Sequence, residues 1–159
     1  MGQRGGDKAL EEQKVVADAS VVAKWFLVEE HSEKAVQLRD AFATEKIAIL
    51  VPSLLFYEAL NTLRFSGVYS EEELIMAARS LSKYGFQVWE PRGKILENTV
   101  QISMKHEATV YDAAYIALSQ EASATLYTAD SELIQKFPGQ ARHIEAFKAK
   151  GGGGEHGVV

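Results

Sequence analysis

Four carboxylates interrupt apolar runs in this chain: Asp18 in Val-Val-Ala-Asp-Ala-Ser, Glu58 in Leu-Leu-Phe-Tyr-Glu-Ala-Leu-Asn, Asp112 in Tyr-Asp-Ala-Ala-Tyr-Ile-Ala, and Asp130 in Leu-Tyr-Thr-Ala-Asp-Ser. An ionised carboxylate among core residues is costly unless a cation compensates it. No matching cluster of Lys or Arg accompanies the four, which points to a divalent metal, since hard cations favour carboxylate oxygen and water. Such a set suits hydrolysis of a phosphodiester. A cation that acidifies the attacking water and neutralises charge on the attacking and leaving oxygens needs no Ser, Cys or His intermediate. Without metal, crowded acids raise one another's proton affinity, so activity is expected to fall at acid pH. His31, His106, His143 and His156 are scattered without metal-ligand spacing.

Each acid also has an ordinary reading. Asp18 and Asp130 suit helix caps or turns, and Asp112 in a first helical turn is favoured by the macrodipole alone. Glu58 is harder to dismiss, because Leu54, Leu55, Tyr57, Ala59, Leu60 and Leu63 leave little room for a wide polar face. Asn61 and Thr62, three and four residues on, make a narrow polar strip with it. The inference rests on the four acids together.

The elements that must position them alternate. Short β-branched runs at Lys14–Ala17, Ile47–Val51, Phe86–Trp89 and Ala124–Thr128, with a weaker one at His143–Phe147, read as five strands. Between them, helices are expected over Val21–Glu29, Ser32–Glu45, Ser53–Phe65, Glu71–Tyr84, Gly93–Lys105, Tyr111–Glu121 and Ser131–Phe137. Ser20, Ser53, Ser70 and Asp130 are candidate caps, Ser70 with Glu73 has capping-box spacing, and Gly67 and Gly85 suit helix ends. Strands separated by helices imply a mostly parallel sheet covered on both faces, with sites beyond the carboxyl ends of its strands. Asp18 and Asp130 both follow strands and so belong to that edge.

One domain is the default for 159 residues that are 47% hydrophobic and 25% charged. Residues 1–13 read as an N-terminal extension, 14–148 as the folded domain, and 149–159, with Gly151–Gly154, as a flexible glycine-rich tail. The absence of cysteine removes disulfides and thiolate chemistry and is compatible with a reducing compartment. With no apolar leader and no stretch of the roughly 20 apolar residues a spanning helix needs, the cytoplasm is the expected location and no membrane association is expected. A net charge of −5 argues mildly against a surface that grips nucleic acid throughout, although the site acids contribute to it and bound metal would offset them.

From Val15 to about Phe147 the chain resembles the PIN-domain ribonucleases, and among them the VapC toxins of VapBC toxin–antitoxin pairs. The resemblance is carried by strand-Asp-Ala-Ser, a helix with Glu58 and Asn61, a helix opening Tyr-Asp-Ala-Ala-Tyr-Ile-Ala-Leu-Ser, and Leu-Tyr-Thr-Ala-Asp, with the acids 40, 54 and 18 residues apart. It implies a PIN-like α/β/α sandwich and a metal-dependent endoribonuclease in which Asp18, Glu58, Asp112 and Asp130 bind one or two Mg²⁺ or Mn²⁺ ions. It also implies that Ser20 and Thr128 line the pocket, that Asn61 pairs with the glutamate, and that the products are 5′-phosphates and 3′-hydroxyls. Its partners would be an RNA substrate, an antitoxin protein and a second copy of the chain in a homodimer.

Lys24 and Arg64 lie on elements near the proposed site and are the weak candidates for substrate binding, with solvated faces as their ordinary role. Tyr57, Tyr111 and Tyr115 suit either base stacking or core. Two other classes stay open. A PIN-like module that binds RNA or assembles with protein would keep the acids as structure. A phosphotransferase of the haloacid-dehalogenase kind wants a second Asp where Ser20 stands, and a receiver domain wants adjacent acids where Ala17 and Ala19 flank Asp18.

Overall fold

The computed structural model describes residues 13–149; most of the proposed extension and the glycine-rich tail lie outside the described residues. Strands and helices alternate as β1 (Gln13–Ala17), α1 (Ala19–Val22), α2 (Ser32–Ala43), β2 (Ile47–Pro52), α3 (Leu54–Phe65), α4 (Glu71–Lys83), β3 (Gln87–Trp89), α5 (Lys94–His106), α6 (Val110–Ala122), β4 (Thr125–Thr128), α7 (Ser131–Lys136) and β5 (Ala141–His143). Single 3₁₀ turns follow at Ala23–Trp25 and Ile144–Ala146.

All strand pairings are parallel, in the order β3-β2-β1-β4-β5. This explains the continuous apolar strands: every residue of Ile-Ala-Ile-Leu-Val-Pro in β2 is buried, as are Val15, Val16 and Ala17 of β1, because helices cover both faces. The α/β/α sandwich expected from the sequence is thus present. The small residues Ala113 and Ala117 let α6 lie close against β1, β2 and β4. The chain builds outward from β1 through β2 to β3 and then returns to the opposite side of β1 to lay down β4. Strand order reverses between β1 and β4, and beyond their carboxyl ends lies the crevice in which such sheets place their chemistry.

Local signals behaved as their physics requires, with four exceptions. Ser70 and Glu73 form a complete capping box on α4, and Gly67 and Gly85 follow α3 and α4 with φ of +83° and +86°, a region glycine enters without strain. The first helix, expected to reach Glu29, ends at Val22 and tightens into a 3₁₀ turn. Trp25 draws it inward, its indole donating to the Ala35 carbonyl at 2.8 Å and its ring lying 5.0 Å from Tyr84 and 5.9 Å from Phe86. The last strand is Ala141–His143, not His143–Phe147, because the His143 side chain accepts the Glu145 amide and starts a turn there. The cap of α1 is Asp18, not Ser20, and Ser53 makes no side-chain cap bond.

Candidate active site

Asp18 directly follows β1, and its amide extends the sheet ladder by donating to the Tyr127 carbonyl of β4 at 3.3 Å. Its side chain turns back to cap α1. Oδ1 accepts the Ser20 amide at 3.1 Å, the Ser20 hydroxyl at 2.6 Å and the Val21 amide at 3.3 Å, and Oδ2 accepts the Thr128 hydroxyl at 2.5 Å. Each hydroxyl is oriented by β4's exit loop: Ser20 Oγ accepts the Ala129 amide at 2.9 Å, and Thr128 Oγ1 accepts the Asp130 amide at 3.0 Å. Ser20 and Thr128 thus both hold the Asp18 carboxylate. Burial nevertheless dominates, pushing the Asp18 carboxyl from 3.8 up to about 6 against the pull of those donors.

Asp130, two residues past β4, caps α7, with Oδ1 accepting the Glu132 and Leu133 amides at 2.9 and 3.3 Å. Asp112 sits in the first turn of α6, where its amide donates to the Thr109 hydroxyl at 3.0 Å. Burial raises its carboxyl above the usual range, the Asp130 charge adds to this, and Lys136 opposes it. Glu58 rides on the half-buried face of α3 and accepts the Tyr115 hydroxyl on Oε1 at 2.7 Å. Burial raises its carboxyl too, the Tyr115 bond holds it back, and the charges of Asp18 and Asp112 push it further up. The charges of Asp18 and Asp112 thus act on Glu58, and that of Asp130 acts on Asp112.

The donor set is the one a hard divalent cation takes, and the mutual repulsion of its members is what such a cation relieves. Asp18, Glu58, Asp112 and Asp130 are the residues that would hold it. Among the described residues no three His, Asp or Glu side chains stand together as a ligating group.

The flanking residues separate. Asn61 is exposed and does not pair with Glu58, whose carboxylate is turned toward Tyr115. Lys24 is buried, its ammonium bound to Glu29 at 2.8 Å, and is therefore not offered to a substrate. Arg64 is exposed in a groove between α3 and α4 that also contains Glu58 and Asn61. Sequence reasoning missed Tyr115 as a partner of Glu58 and Lys136 as the cation beside Asp112. The signal for Tyr115 was present: it lies three residues after Asp112 in Asp-Ala-Ala-Tyr, on the same side of the helix, and a buried phenol needs a polar partner.

Known proteins share this fold. A family model described as PIN domain matches residues 15–138, a span that contains all four acids. The chain is 32% identical over 130 residues to Ribonuclease VapC3 of Pyrobaculum aerophilum, covering 79% of this chain and 95% of that protein. The crystal structure of PAE2754 from Pyrobaculum aerophilum superposes with a TM-score of 0.59 at 26% identity, covering 85% of this chain and 93% of that one. A toxin–antitoxin complex from Klebsiella pneumoniae has the same fold, with a TM-score of 0.63 at 15% identity over 82% of this chain and 97% of that one. The chain belongs to the PIN-domain family, within its VapC ribonuclease group.

Proposed function

We propose that this protein is a metal-dependent endoribonuclease that hydrolyses RNA phosphodiester bonds, and that it serves as the toxin of a toxin–antitoxin pair. The observation that carries the reading is the electrostatically linked series Asp18, Glu58, Asp112 and Asp130 at the β1/β4 switch point of a VapC-type chain. When bound there, Mg²⁺ or Mn²⁺ supplies positive charge to the scissile phosphate and acidifies the attacking water.

The chain's own groups divide the remaining work. Asp18 is the fixed member, with both oxygens held by donors from the β1 and β4 exits. Asp112 and Asp130, each at a helix start, present carboxylates that adjust, and Glu58 closes the set from α3. Arg64, exposed beside Glu58, is the residue available to the RNA backbone, and a phosphate contact there would weaken with salt. The products are 5′-phosphates and 3′-hydroxyls.

The groove between α3 and α4, about 680 Å³ and lined by Tyr57, Leu60, Leu74 and Ile75 with Arg64 and Glu71 at its rim, suits an apolar helix of an antitoxin. Leu96, Val100 and Met104 form an exposed apolar stripe at every fourth position of α5 and, with Val110 and Tyr111, suit a homodimer face. Among the described residues no helix is long and apolar enough to cross a membrane.

The test is cleavage of a mixed RNA pool by purified protein, with Mg²⁺ or Mn²⁺ against chelator. Metal-dependent fragments with 5′-phosphate ends support the reading. RNA association without turnover in either metal would contradict it and favour a binding module.

A further inference from the structure

Tyr115 stands one helical turn after Asp112 on α6 and is 2% exposed. Its hydroxyl donates to Glu58 Oε1 at 2.7 Å, a contact between residues 57 apart in sequence. The amide of Ala19, next to Asp18, is directed at the same phenol oxygen. One side chain thus joins the segments that carry three of the four acids. Its apolar surroundings are satisfied by a ring alone, and a phenylalanine would fill them. The hydroxyl needs a different explanation, because it is spent on a carboxylate that burial and two neighbouring acids already disfavour in its charged form. A phenol has a single proton to donate, and with Oε1 accepting it the Glu58 carboxylate is held in one orientation with Oε2 and the remaining lone pair of Oε1 left for a ligand.

We propose that Tyr115 is a positioning residue for cation binding: its hydroxyl orients the Glu58 carboxylate and ties α3 to α6 and to the Asp18 segment, so that the acids close on a divalent cation from a partly ordered state. This rests on the metal-dependent reading above. Groups behind a ligand fix its orientation, and their loss typically costs about 10- to 100-fold in cation affinity. Binding to a pre-ordered carboxylate avoids the entropy of ordering it at that step.

The experiment is Mn²⁺ binding to the full chain, read from the electron paramagnetic resonance signal of free Mn²⁺, for the parent, Tyr115→Phe, Glu58→Gln and the double variant, with circular dichroism to establish folding. Tyr115→Phe is expected to fold and to weaken Mn²⁺ binding about 10- to 100-fold, with RNA cleavage recovering as Mn²⁺ is raised to saturation. In the Glu58→Gln background the same substitution should change affinity less than about 3-fold, because a group acting through Glu58 has nothing left to orient. Equal Mn²⁺ affinity in Tyr115→Phe and the parent overturns the inference, as does an equal loss in both backgrounds. A parent that binds no Mn²⁺ overturns the metal-dependent reading itself. If Tyr115→Phe does not fold, 3-fluorotyrosine at position 115 keeps the hydroxyl and reports by ¹⁹F resonance. A shift that saturates with Mg²⁺ binding supports the inference, and an unmoved resonance at saturating Mg²⁺ overturns it.

Discussion

The two parts of the carboxylate cluster are built by different means. Asp18 is held where β1 and β4 leave the sheet, and its donors come from the segments that leave those strands: Ser20 and Val21 in the first turn of α1, and Thr128 at the end of β4. Glu58 and Asp112 ride on separate helices, α3 and α6, which the Tyr115 hydrogen bond to Glu58 links. Asp18 is therefore costly and stiff, its burial barely offset by a full set of donors, whereas the helix-borne acids are half-buried and adjustable.

Substitution separates the two parts, and the largest expected effect is on the adjustable one. Asp112→Asn should lower RNA cleavage at saturating Mg²⁺ by more than about 100-fold, beyond the cost of a group acting only through a ligand. The same variant should keep its unfolding free energy within about 0.5 kcal/mol, since the Thr109 cap uses the backbone amide rather than the carboxylate. A steady-state assay paired with a urea melt checks both, and retained cleavage would remove Asp112 from the mechanism.

For the fixed part the expected signature is pH. The Asp18 carboxyl is pushed up to about 6 in the fold from 3.8, so the folded state keeps a proton that the unfolded chain releases across that window. Stability of the metal-free protein therefore falls as pH rises from about 4 to about 6 and levels off above, leaving a cost on the order of 3 kcal/mol at neutral pH. Glu58 and Asp112, also raised, push in the same direction. In Asp18→Asn most of this slope should disappear, because the amide oxygen still accepts the Ser20 and Val21 amides and the Thr128 hydroxyl reverses to accept. Urea unfolding at pH 4, 5, 6 and 7 with chelator measures it; an unchanged slope would show that Asp18 is not the group responsible.

Much of this contrast was legible in the sequence, and the limits of reading it follow one physical line. Val-Val-Ala before Asp18 and Leu-Tyr-Thr before Asp130 announced strands ending in acids, because buried parallel strands must be apolar throughout. What a pattern along the chain does not encode is which way a side chain turns once helices pack. The family resemblance implied Asn61 as the partner of Glu58, yet the fold brings Tyr115 of α6 to its carboxylate instead. Likewise Lys24 looked available on a helix expected to run to Glu29. The fold breaks that helix at Val22 and folds Glu29 back onto the ammonium. Local order was readable; long-range pairing was not.

Two smaller effects sharpen the same contrast. Thr128→Val removes a fully buried hydroxyl that both donates to Asp18 and accepts the Asp130 amide. It should cost about 1.5–3 kcal/mol in urea unfolding and move the pH window of the metal-free protein upward, because a donor to the charged form is lost. An unmoved window would show that strand-borne donors do not tune Asp18. Ser70→Ala, at the capping box of α4 and away from the acids, should cost about 1 kcal/mol of stability and leave cleavage at its parent rate. A cleavage defect there would mean that α4 transmits to the site.

The central claim is met most directly by crystals grown with Mn²⁺ and an anomalous difference map recorded at the manganese edge. The account predicts a peak within about 2.5 Å of carboxylate oxygens from at least two of Asp18, Glu58, Asp112 and Asp130, with the α3 and α6 acids drawn toward Asp18. A map with manganese bound elsewhere, and these four side chains left apart, would contradict it.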